Sequence, residues 1–382
     1  MRSVTTPSTD DSTGAASAES TGRTNAAAAP APRRERDRFL DLVRAVAILR
    51  VFLIHAAGST GWLWWPAPSW ILPGMPLVFF TSGALAAPSL ERHSTRTYWA
   101  DRYRRLVLPY WALLGTGLVV GAFAWWYWGT DEWTPRWFRV PDAIVPVIQP
   151  RVMPGLTDVT THLWFMSTFL ILIACTPWLA AVHRRRPLLP LAIMTAAFAV
   201  AVTVDRVWVT VPEEIIYVPL FGMFLCAGFG YADGTLVDRS GITDPDRPAA
   251  LRTPVMVAIV VMSVLGGIAL FRSGVRNVND DPLTHATVAA GWLVLVLAAR
   301  GPVSRLARRS AAWLDRITPR TLTLYLWGAP AGVVAWRLAL HQDSGWARAS
   351  VYVLGTIALT TAAVVCFGRL EDRAARRRTA PS

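Results

Sequence analysis

The sequence predicts an all-α fold: a polytopic membrane helix bundle of about ten transmembrane helices, with the N and C termini in the cytoplasm. Three observations lead to this class. The 382 residues are 53% hydrophobic and only 16% charged, and the mean hydropathy is +0.36. The apolar residues fall in runs of about 17–23 residues, the length that a helix needs to cross about 30 Å of hydrocarbon. Arginine is concentrated in every second segment between these runs.

The apolar runs are too numerous for the alternative class, a soluble bundle with a few buried core helices. An even number of runs places both ends of the chain on the same side of the membrane. The runs lie at about 39–57, 70–88, 106–128, 162–181, 188–204, 213–232, 252–271, 283–299, 321–340 and 348–368.

Composition divides the chain into three parts. Residues 1–38 are rich in Ser, Thr, Ala and Pro and are predicted to form a disordered cytoplasmic tail, because such a segment cannot bury a core. Residues 39–370 form the predicted membrane domain, and residues 371–382 form a basic cytoplasmic tail.

The formal net charge of +13 is explained by the positions of the arginines along the chain rather than by nucleic-acid binding. The segments predicted to lie inside hold most of the arginines, so the expected partner of the protein is a lipid bilayer and not a nucleic acid. The proposed outer segments hold only Arg136, Arg139, Arg151, Arg206, Arg272, Arg276 and Arg348.

Ionisable side chains within the first run are the strongest indication of function. Charged groups at membrane depth are costly unless they face protein or water, and they therefore indicate a functional site. Arg44 and His55 are eleven residues apart, which brings them within about 20° of the same helix face and about 16 Å apart along the axis. Asp41 can pair with Arg44. Arg50 points elsewhere and is expected to bind a neighbouring helix or a lipid headgroup.

These residues also have simpler interpretations. Asp41 and Arg44 would mark the cytoplasmic interface if Arg44 extends its guanidinium to the membrane surface. His55 would be structural if it only packs between helices. Its position towards the outer end of the helix and the suitability of imidazole for proton transfer near neutral pH favour a catalytic role.

The segment LDLVRAVAILRVFLIH resembles the first helix of the acyltransferase-3 family of integral membrane acyltransferases, which carries Arg, ten residues and then His. Here these residues are Arg44 and His55. The likeness covers residues 39–370 approximately. Four further segments follow in the family's order: GMPLVFFTSGAL (74–85), RYRRLVLPY (102–110), THLWFMSTFLILIACTPWL (161–179) and LDRITPRTLTLYLWGAP (314–330).

Two departures from the family's pattern leave the acceptor open. Many members have a His after the Tyr-Leu pair, where this chain has Gly328. The acidic residue that some members carry after the Trp of the His-Leu-Trp-Phe segment is absent from WFMSTF.

The resemblance implies transfer of an acyl group from acyl-CoA, with acetyl-CoA as the expected co-substrate, to a hydroxyl of a carbohydrate, glycolipid or natural-product acceptor. His55 and Arg44 would be the catalytic residues. Arg102 and Arg105 would bind the phosphates of the donor at the cytoplasmic mouth, although ordinary positive-inside residues would look the same. No permanently bound cofactor and no metal are expected, and the expected location is the inner (plasma) membrane of a bacterial cell.

The acceptor-binding residues are not identified by these motifs. Asp158, Glu213 and Glu214 are candidates for an acceptor entrance by position alone. Sequence does not separate a general-base role of His55 from an acyl-carrier role. The alternative function is a transporter or flippase for a polar or lipid-linked substrate, which would distribute polar residues over several helices. This sequence instead concentrates its ionisable residues in the first helix and at the cytoplasmic start of the third.

Overall fold

The computed structural model describes residues 37–58, 67–129, 144, 160–237, 253–275 and 277–376. Over these ranges the chain is α-helical, with three short 3-10 turns and no β-strand. The part of the predicted N-terminal tail before residue 37 lies outside the described residues, as does Asp158. The all-α class is confirmed.

The described ranges contain thirteen α-helices, which we number in chain order. They are α1 (Arg38–Gly58), α2 (Ala67–Trp70), α3 (Gly74–Arg92), α4 (Thr95–Trp128), α5 (Trp164–Arg185), α6 (Leu189–Val207), α7 (Glu213–Asp233), α8 (Thr253–Arg272), α9 (Pro282–Ala298), α10 (Arg300–Arg309), α11 (Ala311–Ile317), α12 (Thr321–Ala339) and α13 (Gly345–Arg376).

Each predicted apolar run coincides with one long helix, and the three helices of ten residues or fewer, α2, α10 and α11, lie between the runs. By length and hydropathy alone, five of the described helices can cross a membrane: α4, α5, α6, α7 and α13. A sixth span results if α9 and α10, which meet at a bend of 72°, are taken together. The first helix does not qualify because it carries Asp41, Arg44 and Arg50. The chain is therefore a multi-pass membrane protein, while ten crossings and cytoplasmic termini stay predictions.

Helix α7 lies at the centre of the described bundle, packed against α3, α5, α6 and α9. Its contact with α3 is close enough to require glycine on both sides. A Cβ atom at Gly83 would lie 2.0 Å from the carbonyl oxygen of Leu225, and one at Gly228 would lie 2.2 Å from that of Phe80. Small residues at such a crossing let two helix backbones approach each other within a membrane.

The ends of the helices meet in two groups. At one end, the start of α12 contacts the end of α13 through Thr323 and Glu371, and the end of α5 contacts the end of α7 through His183 and Asp233, at 2.8 Å. We call this the basic end, because Arg44 and the start of α4 also lie there. At the opposite end, Arg206 at the close of α6 forms an ion pair with Asp281, which caps α9. Consecutive long helices therefore run in alternating directions.

Candidate active site

The basic end of α1 places two opposite charges one turn apart. Asp41 is buried and Arg44 is partly buried, and both lie on a helix that packs mainly against α3 and α12. The charge of Arg44 interacts with those of Arg102, Glu371, Asp41 and Arg105. The guanidinium of Arg44 thus interacts with residues of α1, α4 and α13, and Thr323 of α12 binds the Glu371 carboxylate of α13.

Helix α4 supplies the two other cations. Its N-terminus is capped by Ser94, whose hydroxyl accepts a hydrogen bond from the backbone N–H of Thr97 at 3.2 Å. Arg102 and Arg105 are three residues apart and partly buried, whereas Arg104 between them is exposed. The guanidinium carbon of Arg102 lies 5.5 Å from the centre of the Tyr98 ring. The spacing of the Arg-x-x-Arg pattern therefore turns its two arginines towards the bundle.

Glu371 is a member of this site that the sequence did not reveal. Its Oε2 accepts hydrogen bonds from the hydroxyl of Thr323 at 2.6 Å and from the backbone N–H of the same residue at 3.3 Å. The predicted boundary between membrane domain and tail fell at residues 370 and 371, but α13 continues to Arg376 and holds this carboxylate against α12. No sequence pattern distinguishes Glu371, because it follows the last apolar run and is surrounded by other charged residues.

Neighbouring contacts fix the end of α13 that carries Glu371. The guanidinium of Arg320 donates a hydrogen bond to the carbonyl oxygen of Gly368. The rings of Trp327 and Phe367 are stacked, with centroids 4.5 Å apart and planes 9° apart. The carboxylate is therefore held in a defined position beside Arg44.

With both carboxylates ionised, Arg44, Arg102 and Arg105 outweigh Asp41 and Glu371 by one positive charge. The Nε atom of Arg44 is buried and has no hydrogen-bond partner among the described residues. Three guanidinium groups in a partly desolvated site repel one another, and an anion with several oxygens relieves that repulsion by charge-assisted hydrogen bonds. The arrangement is suited to binding a phosphate-bearing molecule.

The structure places His55 on α1, three turns beyond Arg44, and its side chain lies outside the described part of the structure. A single cavity shared by His55 and the arginines therefore stays a prediction. The expectation for Arg50 is confirmed, because its guanidinium donates a hydrogen bond to the carbonyl oxygen of Ser69 on α2 at 2.8 Å.

Two segments that resembled the family separately are in contact in the fold. The hydroxyl of Tyr325 donates a hydrogen bond to the carbonyl oxygen of His162, and the Nε2 of His162 lies 3.1 Å from the carbonyl oxygen of Leu326. The two rings meet edge to face with centroids 5.4 Å apart. The start of α5 is thus fixed against α12 next to the turn that carries Thr323.

A second charged cluster at the basic end, around the buried Arg300, has a structural role. Arg300, at the bend between α9 and α10, is 2% exposed, and its Nε donates a hydrogen bond to the hydroxyl of Tyr231 at 2.8 Å. The same guanidinium lies 3.9 Å from the carboxylate of Asp37 and 5.7 Å from the centre of the Phe39 ring. Burial raises the pKa of the Asp37 carboxyl above its ordinary value, and the charge of Arg300 partly offsets this.

Comparison with known proteins identifies the family of the chain. The family model described as an acyltransferase domain, of the acyltransferase-3 family, matches residues 37–368. This match includes every motif segment and ends three residues before Glu371. No curated protein and no solved structure matches the chain. The chain therefore belongs to the acyltransferase-3 family, and the protein is a membrane acyltransferase.

Proposed function

We propose that the enzyme transfers an acyl group, expected to be acetyl from acetyl-CoA, to a hydroxyl of a carbohydrate, glycolipid or natural-product acceptor. The observation that carries this proposal is the convergence of Arg44, Arg102 and Arg105 at one end of the bundle. Coenzyme A bears a pyrophosphate and a 3′-phosphate, which are the anions that such a group of guanidiniums binds. The donor is a co-substrate in this proposal.

The two carboxylates at the site have a part in donor binding. Asp41 and Glu371 reduce the repulsion between the three arginines before the donor arrives. Because Glu371 is held by both polar groups of Thr323, it stays in place when the donor binds. Its charge then keeps the guanidinium of Arg44 directed into the site. Glu371 is a positioning residue in this scheme.

Chemistry takes place at His55. Its imidazole accepts the proton of the acceptor hydroxyl while the hydroxyl oxygen forms a bond to the thioester carbonyl carbon. The carbon–sulfur bond then breaks, and the coenzyme A thiolate receives the proton from the imidazolium. A route through an acyl-imidazole at His55 gives the same products and stays open.

The distance along α1 separates the roles of Arg44 and His55. Eleven residues of helix correspond to about 16 Å, so a guanidinium at position 44 cannot reach a thioester carbonyl at position 55. Arg44 therefore orients the phosphate end and the pantetheine arm of the donor. The extended arm has to cross the interval to His55. Arg44 is therefore too far from the thioester to stabilise the charge that develops on its carbonyl oxygen.

In this scheme the protein lies in the inner (plasma) membrane of a bacterial cell, and the basic end faces the cytoplasm, where acyl-CoA is made. Family membership and the concentration of cations at one mouth favour this function over a transporter or flippase without covalent chemistry.

The direct test incubates membranes that contain the full chain with acetyl-CoA labelled in the acetyl group and with candidate acceptors. Wild-type protein should transfer label to an acceptor hydroxyl, and His55→Ala should lose transfer by at least about 100-fold, as expected for loss of a general base. His341→Ala, at an exposed histidine, is the matched control. Full transfer by His55→Ala would remove His55 from the mechanism.

A further inference from the structure

A pair of aromatic rings lies where α5 and α7 begin. Trp164 begins α5 and Tyr217 lies in the first turns of α7, and their ring centroids are 4.8 Å apart. Both rings are partly exposed. The other face of this pair packs on Phe221, with centroids 5.7 Å from Trp164 and 5.8 Å from Tyr217. The pair is therefore a rigid aromatic surface that is open on one side.

Two carboxylates stand beside this surface. Glu213 begins α7 and Asp280 ends the 3-10 turn Val278–Asp280, and both charges interact with the hydroxyl of Tyr217. Both side chains are exposed, and neither forms a salt bridge with any residue that the structure describes. Glu213 lies four residues before Tyr217 on the same helix, whereas the fold brings Asp280 to the tyrosine from another element.

A buried imidazole lies behind the aromatic surface. His285 on α9 is 5% exposed and meets Phe221 edge to face, with centroids 5.6 Å apart. Its Nε2 is buried and has no hydrogen-bond partner among the described residues. The positive charge of Arg50 acts on this imidazole. A buried polar atom without a partner is costly, and such atoms are found where a ligand or a reaction uses them.

We propose that Trp164 and Tyr217, with Glu213 and Asp280 beside them, form the binding site for a sugar ring of the acceptor. This inference rests on the proposed function. One face of a sugar ring carries C–H groups that pack on an aromatic plane, and its hydroxyls donate to carboxylates. His285 is the buried polar group at the inner boundary of the site. Trp164 and Tyr217 belong to α5 and α7, and neither helix carries a charged residue of the donor site, so donor and acceptor bind to separate groups of side chains.

A cationic ligand is the other class that aromatic rings and carboxylates attract. The charge of Arg50 at the buried boundary of the site opposes a cation there, and it does not oppose a neutral sugar. We therefore assign the site to a polyhydroxylated ring, and a cation is an outcome of the test.

The experiment uses the full chain in lipid nanodiscs and saturation-transfer-difference NMR, which detects weak binding. The probes are methyl glycosides of glucose, galactose, mannose and rhamnose. At least one glycoside should show saturable transfer to its ring protons, and Trp164→Ala and Tyr217→Ala should each reduce the signal at least about fivefold. Trp164→Phe should retain most of it. Trp126→Ala, at an exposed tryptophan of α4, is the matched control and should leave the signal unchanged.

Binding of coenzyme A to the same samples separates the two proposals. Each variant should bind coenzyme A like the wild type, which also shows that it is folded. Glycoside binding without coenzyme A binding would overturn the proposed donor and leave the sugar site intact. Absence of binding by every glycoside, equal binding by Trp164→Ala, or preferential binding of choline would overturn the sugar site.

Discussion

Arg44 occupies a helix position where an isolated cation would be unstable. A guanidinium at membrane depth is costly unless other groups of the protein or water compensate its charge. Asp41 and Glu371 provide that compensation, and Arg102 and Arg105 add repulsion that a bound anion would remove. The charge of Arg44 is therefore stabilised most when an anionic donor is bound, as expected of a donor-binding residue.

Replacing Glu371 by Gln tests its role as a positioning residue. The amide still accepts a hydrogen bond from Thr323, but the charge that directs Arg44 is lost. We expect kcat to fall about tenfold, equivalent to about 1.4 kcal/mol, while the KM for acetyl-CoA changes less than about threefold. Glu91→Gln, at an exposed position of the basic end, should leave both constants unchanged. An unchanged kcat with a lower KM would show instead that Glu371 competes with the donor phosphates.

Replacing Arg300 by Met tests the buried cluster at the bend between α9 and α10. The substitution keeps most of the side-chain volume but leaves Asp37 and Tyr231 without their cation. Loss of one partner of a buried pair costs about 3 kcal/mol, so the variant should unfold at a clearly lower temperature. Arg305→Met, at an exposed arginine of α10, is the control.

The deficit of Arg300→Met should also depend on pH. The pKa of Asp37 is already raised by burial, and removal of the arginine raises it further. A carboxyl whose pKa is higher in the folded state binds protons more tightly when folded, so the variant regains stability as the pH falls through that pKa. Adding Asp37→Asn should remove this dependence. A deficit that stays constant with pH would contradict the assignment.

At the scale of elements, the contact between α3 and α7 determines the geometry of both proposed sites. Helix α3 packs against α1, which carries Arg44, and α7 carries Tyr217 near one end and Tyr231 near the other. The aromatic contact between Phe79 and Phe221, with centroids 4.8 Å apart, lies in the same interface. A change in the spacing of these two helices would therefore disturb both ends of the bundle.

Substitution of Gly83 by Ala tests the importance of this spacing. The new methyl group would lie 2.0 Å from a backbone oxygen of α7, so the helices have to separate. Overpacking of this kind costs about 1–3 kcal/mol, and we expect a lower unfolding temperature together with reduced acyl transfer. Gly115→Ala, where a Cβ meets nothing within 4 Å, should be neutral. Equal effects of the two substitutions would show that the contact is not tight.

Across the whole molecule, the long helices run in alternating directions. The starts of α1, α4 and α12 and the ends of α7 and α13 lie at the basic end. If this end faces the cytoplasm, the donor reaches Arg44, Arg102 and Arg105 from the cytoplasm.

The predicted topology can be measured by labelling single cysteines, in a variant without the native ones, with a maleimide that does not cross membranes. With ten crossings and an N terminus inside, Asp343→Cys in the turn before α13 should react in intact cells. Arg309→Cys at the end of α10 should react only after permeabilisation. The reverse pattern, or reaction of both from one side, would exclude the predicted number of crossings.

The helices could be predicted from the sequence, which also singles out four of the five charged residues of the candidate donor site. Hydropathy located the long helices because each apolar run has about the length needed to cross a bilayer. Arg44, Arg102 and Arg105 stood out as charged residues in or beside such runs. Glu371 did not stand out, because its position is set by a hydrogen bond from Thr323, 48 residues away in the sequence. His285 and Trp164 did not either, since a histidine in an apolar run and a tryptophan near a helix end have ordinary structural explanations. Only the packing of separate helices distinguishes them.

If Arg44, Arg102 and Arg105 form one binding site for the phosphates of coenzyme A, removing two of them should weaken binding of the free coenzyme. Isothermal titration calorimetry compares coenzyme A binding by the purified full chain with that by the variant that combines Arg102→Ala and Arg105→Ala. We expect at least about tenfold weaker binding by the variant, a smaller loss for wild type with 3′-dephospho-coenzyme A, and no loss for Arg104→Ala. An unchanged dissociation constant in the double variant would contradict a shared phosphate-binding site.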